Sequence, residues 1–317
     1  MTIHSPLPPF LLFLILPLIS CSAIQSKSDI PESPEAVATH EILAEDWAKE
    51  KSPRSSLRGW EYLASKLKKQ GIDEDTITSV FSNEKMPLWT PIPFKVRPQE
   101  SFSLYQKSNT LKARQNALSF YNQHKKFFLK SETILSVERE IILAILQIET
   151  QCGKNTGNQP IFYWLARLVS AGFPPNIQYN VRNSREEPPP TYRELEERAE
   201  WLEEEFMPHL ISLLRMSQDI SVEPVSILGS HGGAIGLPQF LPGNIKKFGF
   251  DGDGDGVINL YNPADAILSV ANFLNHYGWR KGLSRNEKKN LLLNYNRSNA
   301  YAETVLRMSE ELRKQMR

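Results

Sequence analysis

Helical periodicity runs through this chain and sets its fold class. Between residues 56 and 314, apolar residues recur at three- and four-residue spacing, the repeat of one helix face. Leu57, Trp60, Leu63, Ala64 and Leu67 make the first such run, over 56–70, and Gly71 ends it. A short helix is predicted over 74–82 and longer ones over 100–129 and 136–150. Residues 86–98 contain four prolines and read as an extended linker. A second break, NVRNSREEPPP, covers 180–190. Thr191 and Glu194 then form a capping-box pattern. The helix that follows carries Leu195, Ala199, Leu202, Phe206, Leu210 and Leu213 on one face. Its outer face, with Glu196, Glu197, Glu200, Glu203 and Glu204, reads as solvated surface. The period returns at 264–277 and 288–314. Alternating strand patterns are nearly absent and no internal repeat occurs, so the fold class is mainly α. At 317 residues, with 40% hydrophobic side chains, the chain can form one large or two ordinary domains.

Charge and cysteine usage narrow the function. Thirty-seven basic and 36 acidic residues leave a net charge of +1. That balance excludes the overall basic excess usual in nucleic-acid binders. Two cysteines, Cys21 and Cys152, cannot build a disulfide framework or a Cys-rich zinc site. The longest apolar run, Phe10 to Ile19, is too short to span a bilayer and suits a signal-peptide core. Its end, Leu18-Ile19-Ser20-Cys21, resembles the bacterial lipobox, although no Lys or Arg precedes the run. That resemblance implies residues 1–20 as a leader and a lipidated Cys21 as the mature N-terminus. Ser22 after it, by resemblance to lipoprotein sorting signals, implies the outer membrane. The alternatives are an ordinary signal peptide or an N-terminal core segment. Residues 21–39, rich in Ser, Pro, Glu and Lys, read as a tether ahead of a 40–317 body.

Four segments of that body offer chemistry. Ile141 to Leu146 is apolar all round, so its helix should be buried, and Glu149 closes it with Gly153 as a candidate cap. Burial and the negative end of the helix dipole both disfavour an ionised carboxylate there, which suits a general acid. The alternative is a Glu that ends a core helix and points to water. Ser230 to Pro242 is glycine-rich and could bring backbone close to a ligand. Within it Ser230 and Gln239 would offer hydrogen bonds and Phe240 an apolar face; the alternative is a plain loop. His231 has no sequence neighbour that makes it a base or a metal ligand. Asp251 to Asn262 fits an EF-hand calcium loop, with Asp251, Asp253 and Asp255 at positions 1, 3 and 5 and the Val257 carbonyl at 7. Asn262 stands where the closing Glu belongs, and Asp265 is the nearest carboxylate downstream. A metal-free Asp/Gly turn is the alternative. Last, Tyr295, Asn296 and Tyr301 could stack on and hydrogen-bond a sugar, or simply pack at a helix start.

In this order and spacing, the four segments resemble the membrane-bound lytic murein transglycosylase B family. The resemblance rests on Glu149-Thr150 with Gly153, Ser230 through Pro242, Asp251 through Leu260, and Tyr295 through Tyr301. Further similar stretches are Asp265 through Leu274 with Gly278-Trp279, and Trp60 through Ile72. It covers about residues 56–308. Gly232, Ile235, Gly243-Asn244 and Cys152 depart from the family pattern and bear on subsite shape. The resemblance implies a lysozyme-like transglycosylase fold with an EF-hand-like loop. It also implies cleavage of peptidoglycan glycan strands between N-acetylmuramic acid and N-acetylglucosamine, leaving 1,6-anhydromuramoyl ends. Glu149 would be the sole catalytic carboxylate. Ser230 and Asn296 would orient the substrate's 2-acetamido group, and Gln239, Phe240, Tyr295 and Tyr301 would line the groove. Asp251, Asp253, Asp255, Val257 and Asp265 would hold a structural Ca2+, with Na+ as the other candidate ion. The expected setting is a monomeric lipoprotein on the periplasmic face of the outer membrane, with no nucleic-acid partner. A hydrolytic muramidase, a non-catalytic peptidoglycan-binding lipoprotein and a calcium sensor are the competing readings.

Overall fold

In a computed structural model of the chain, residues 57–98 and 102–316 are described. The expected leader, the tether and Cys21 lie outside the described residues. The elements run α1 (Glu61–Lys69), α2 (Glu74–Phe81), a 3-10 segment (Phe102–Asn109), α3 (Leu111–Leu135), α4 (Arg139–Thr150), β1 (Gln159–Pro160), α5 (Ile161–Val169), α6 (Pro174–Asn183) and α7 (Tyr192–Asp219). After them come β2 (Leu228–Gly229), α8 (Pro242–Phe248), α9 (Pro263–His276), α10 (Arg285–Leu292) and α11 (Asn299–Gln315). The two short strands pair antiparallel, Gln159 opposite Gly229 and Pro160 opposite Leu228. The molecule is mainly α, as the periodicity predicts.

Local chemistry explains most boundaries. Thr191 and Glu194 form the expected capping box, and Ser284 with Glu287 forms another at α10. The first helix starts at Glu61, not 56, because Arg58 and Gly59 turn the chain with positive φ. The 100–129 stretch divides into the 3-10 segment and α3, whose Thr110 cap accepts the Ala113 N–H. The 288–314 stretch divides as well. Its apolar period continues through Leu291, Leu292 and Leu293, but Ser298 caps a new helix by accepting the Tyr301 N–H.

Two hydrophobic clusters fill the molecule. One joins α3, α4, α9 and α11, with Phe240 and Phe248 inside it. The other joins α1, α2, α5 and α7. Ile245 of α8 packs against both. The helix read as buried is buried: Ile141 to Leu146 are all 1% exposed or less, with α11 and α3 packed around them. Among the described residues no helix is long and apolar enough to cross a membrane.

Candidate active site

The C-terminal end of α4 is fixed by an unusual run of backbone. Gln151, Cys152 and Gly153 all have positive φ (53°, 58° and 87°). The chain thereby folds back on the helix, with Cys152 N–H donating to Leu146 O at 2.9 Å and Gln151 N–H to Gln147 O at 3.0 Å. The left-handed exit therefore begins at Gln151, two residues before the expected glycine. Gly153 is still required, since a Cβ there would meet the Leu237 side chain at 3.1 Å. Thr150 pins this end to the glycine-rich loop: its hydroxyl bonds to Leu237 O at 2.9 Å and accepts Gly153 N–H at 3.0 Å. Asn116 of α3 holds it from the other side, through Gln147 Oε1 (2.7 Å) and Gln151 O (2.9 Å). Burial pushes the Cys152 thiol up to about 12, so it is an inert packing group.

Glu149 sits on this braced end, half-buried. Tyr301, from the first turn of α11, donates its hydroxyl to Glu149 Oε1 at 2.6 Å. Burial first, and the neighbouring Glu149 charge second, hold the Tyr301 phenol well above its ordinary pKa. The phenol is thus a permanent donor. Tyr295 stacks parallel to Tyr301, with centroids 6.2 Å apart and 7° between planes. Its own hydroxyl donates to Pro238 O at 2.6 Å. Asn296 follows in the turn between α10 and α11. Tyr105, from the 3-10 segment, meets Tyr301 edge-on at 5.9 Å. No sequence motif pointed to Tyr105; a 3-10 turn carries no periodic signal.

The 230–242 loop lies beside this cluster. Ser230 is 9% exposed and its Oγ accepts Ala234 N–H at 3.1 Å. Gln239 takes a positive φ and donates to Gly236 O and Thr156 O. One expectation is corrected here. Phe240 is 3% exposed and packs against Phe248, Phe273 and Tyr295, so it supports the loop from beneath instead of presenting a face to a ligand. Two of the loop glycines also pack closely on the protein: a Cβ at Gly233 would strike Leu165, and one at Gly236 would strike Leu260. His231 is exposed and its ring meets Trp164 edge-on at 4.7 Å.

The acidic loop is tied to the same scaffold, because Leu237 N–H donates to Leu260 O at 2.9 Å. Carboxylate oxygens of Asp251, Asp253 and Asp265 lie within 4.8 Å of one another. An all-oxygen, trianionic set of this kind fits a hard cation such as Ca2+. Asp265 is 1% exposed, and its two oxygens also accept the N–H groups of Gly252 and Asn259, both at 2.8 Å. Backbone N–H groups, the Gly256 one foremost, hold the Asp251 carboxyl below the usual range. This group holds three of the five predicted ligands. Asp255 turns its Oδ1 to the N–H of Val257 at 2.8 Å and stands outside the convergent group. Asn262 caps α9 through Ala264 N–H and donates to Asp253 Oδ2, so it organises a ligand in place of being one.

Comparison with known proteins decides the family. A family described as "Transglycosylase SLT domain" matches residues 56–288. The chain belongs to the transglycosylase SLT domain family. It is 33% identical over 168 residues to the membrane-bound lytic murein transglycosylase B of Escherichia coli, across 53% of this chain and 39% of that protein. The chain thus spans about two fifths of the length of this curated relative. Among solved structures, Escherichia coli lytic transglycosylase SLT35 in complex with calcium superposes with a TM-score of 0.59 at 22% identity, over 81% of this chain and 93% of that one. Pseudomonas aeruginosa SltB3 in complex with NAG-NAM-pentapeptide gives 0.56 at 18% identity, over 80% of each chain. The overall fold is therefore shared over about four fifths of this chain.

Proposed function

We propose that this SLT-domain chain is a peptidoglycan lytic transglycosylase. It would cleave the β-1,4 bond between N-acetylmuramic acid and N-acetylglucosamine during cell-wall turnover. The observation that carries the reading is the Glu149 carboxyl, held on the braced end of a buried helix by the Tyr301 hydroxyl at 2.6 Å. Family membership and the relatives' printed ligands support it.

In this mechanism Glu149 gives its proton to the glycosidic oxygen. The bond to C1 breaks and the N-acetylglucosamine side leaves as an alcohol. The resulting carboxylate takes the proton of the muramic C6 hydroxyl, whose oxygen bonds to C1 and closes the 1,6-anhydro ring. No water is consumed. Glycosidases of the usual kind divide this work between two carboxylates. Here the substrate's 2-acetamido group stabilises the developing positive charge, oriented by Ser230 and Asn296. Ser230 suits that role because a lone pair of its hydroxyl is engaged by Ala234 N–H, which leaves its own proton to donate. Gln239 and Tyr295 complete the groove wall, with Tyr301 and Phe240 behind them. A structural Ca2+, or Na+, on Asp251, Asp253 and Asp265 would stiffen the loop that Leu260 ties to Leu237. By the same reading the chain is a monomeric lipoprotein anchored through Cys21 on the periplasmic face of the outer membrane.

Product analysis tests this. Digestion of purified glycan strands should release fragments one water lighter than hydrolytic ends. Glu149→Gln should lose the roughly 10²–10⁴-fold contributed by a positioned acid. Hydrolytic ends would instead indicate a muramidase on the same scaffold. Binding to sacculi without release of soluble fragments would indicate a non-catalytic binder.

A further inference from the structure

Two aromatic side chains beside the proposed groove have no part in the catalysis. Trp164 lies outside the four segments that offer chemistry, and His231, inside one, directly follows Ser230. The pairing of β1 with β2 brings them together. Gln159 stands opposite Gly229, so residues 157–160 run along the strand that leads into Ser230. Gly157 permits that approach, since a Cβ there would meet Gly229 O at 2.1 Å. The same loop touches the groove through Thr156, whose carbonyl accepts the Gln239 side chain at 3.2 Å. Beyond Pro160 the chain turns into α5. Ile161, Phe162 and Leu165 are buried in the core, and Trp164 is left half-buried. There the exposed His231 ring meets it edge-on at 4.7 Å. Arg167 steadies the indole, with its guanidinium 4.9 Å from the ring centre. The indole Nε1 has no hydrogen-bond partner among the described residues. Shielded donors are normally paired, so this one calls for an acceptor that the surrounding side chains do not supply.

We infer that Trp164 and His231 form a further sugar-binding subsite, which holds the saccharide next to the one oriented by Ser230. The inference deepens the proposed function and rests on it for the polymer that passes Ser230. A sugar ring offers C–H faces to aromatic rings, and hydroxyl and acetamido groups to amides. Both kinds of partner are present: the two rings, and Asn158 with Gln159, whose side-chain amides bond to each other at 2.8 Å. The other candidate occupant is a peptide stem of the same polymer, whose terminal carboxylate calls for a free cation. Arg167, the cation that touches Trp164, is already committed. It donates to the carbonyls of Thr90 and Pro91 and lies over the Tyr163 ring as well. A neutral saccharide therefore fits the set, and an acidic peptide would leave its charge unpaired. Contacts made here favour strands that extend past Ser230 over those that end at it.

The experiment measures binding by calorimetry on the full chain carrying Glu149→Gln, with N-acetylglucosamine oligomers of increasing length as probes. Affinity should step up at the length that reaches this subsite. Adding His231→Ala or Trp164→Ala should reduce that step by about 2- to 10-fold, the worth of one aromatic contact. His231 is exposed, so its change should leave thermal unfolding as it was, and His231→Phe should restore the step. In the otherwise wild-type chain the same two alanine changes should raise KM for peptide-free glycan strands by a similar factor, with anhydro ends still formed. Equal affinities for all these chains at every oligomer length would overturn the inference. So would a KM effect confined to strands that carry peptide, which would make this a peptide site. Either result leaves the proposed cleavage standing. A wild-type chain that forms no anhydro ends would sink that cleavage instead, whatever its oligomer affinities.

Discussion

Tyr301 joins the fold to the chemistry through one oxygen. Its ring is buried between Tyr105 and Tyr295, and its hydroxyl reaches Glu149. Because the phenol stays protonated, it donates to the carboxylate that forms after Glu149 has given up its proton. Tyr301→Phe keeps both ring contacts and removes only that bond. A hydrogen bond to a charged group is worth about 1.5–3 kcal/mol. The variant should therefore keep its melting temperature within a few degrees and lose about 10- to 100-fold in kcat. Steady-state cleavage of glycan strands checks this. A wild-type rate would mean that the Tyr301 bond is packing detail and that Glu149 is oriented by other contacts.

At the level of elements, the readable parts were those set by neighbours in sequence. The all-apolar turn pair before Glu149 could only be a buried helix, and Thr191 with Glu194 could only start one. Phe240 was legible as an aromatic in a loop but not as a core residue, because Phe248 and Phe273 decide its direction from other elements. The break between α10 and α11 was hidden by an apolar period that runs across it. The acidic loop shows the same limit. Its spacing announced a cation loop, yet the pattern could not say that Asp255 would turn to Val257 or that Asp265 would carry two backbone N–H groups. That second role gives a prediction. Asp265→Ala should destabilise the chain by about 2–4 kcal/mol, the cost of two amides stripped of a buried acceptor. Urea unfolding should show the loss in excess chelator as well as in calcium. A loss seen in calcium alone would make Asp265 a ligand and nothing more.

Across the whole molecule, the seam between the two hydrophobic clusters carries a titratable group. His209 lies on α7, and its Nδ1 accepts the Gly243 N–H at 3.2 Å, in the first turn of α8. Burial lowers its pKa to about 4, from the ordinary 6.5. The folded state therefore holds His209 neutral while the unfolded chain protonates it as pH falls below about 6.5. Stability contributed by the neutral form is complete above pH 6.5 and drains away down to about pH 4, below which both states are protonated. The depression corresponds to about 3 kcal/mol at most. His124, also lowered by burial, acts in the same direction from a more exposed position. Glu303, held at about 2 by the Arg285 and Arg307 side chains, loses its share at lower pH, so the two windows separate. His209→Gln keeps an acceptor for Gly243 and removes the titration. Its unfolding free energy should fall less steeply than wild type between pH 6.5 and 4 in urea melts. Identical slopes would place the acid sensitivity elsewhere. A shallower slope would make the buried His209 at the α7–α8 seam a source of the chain's sensitivity to mild acid, through its contact with Gly243 in the first turn of α8.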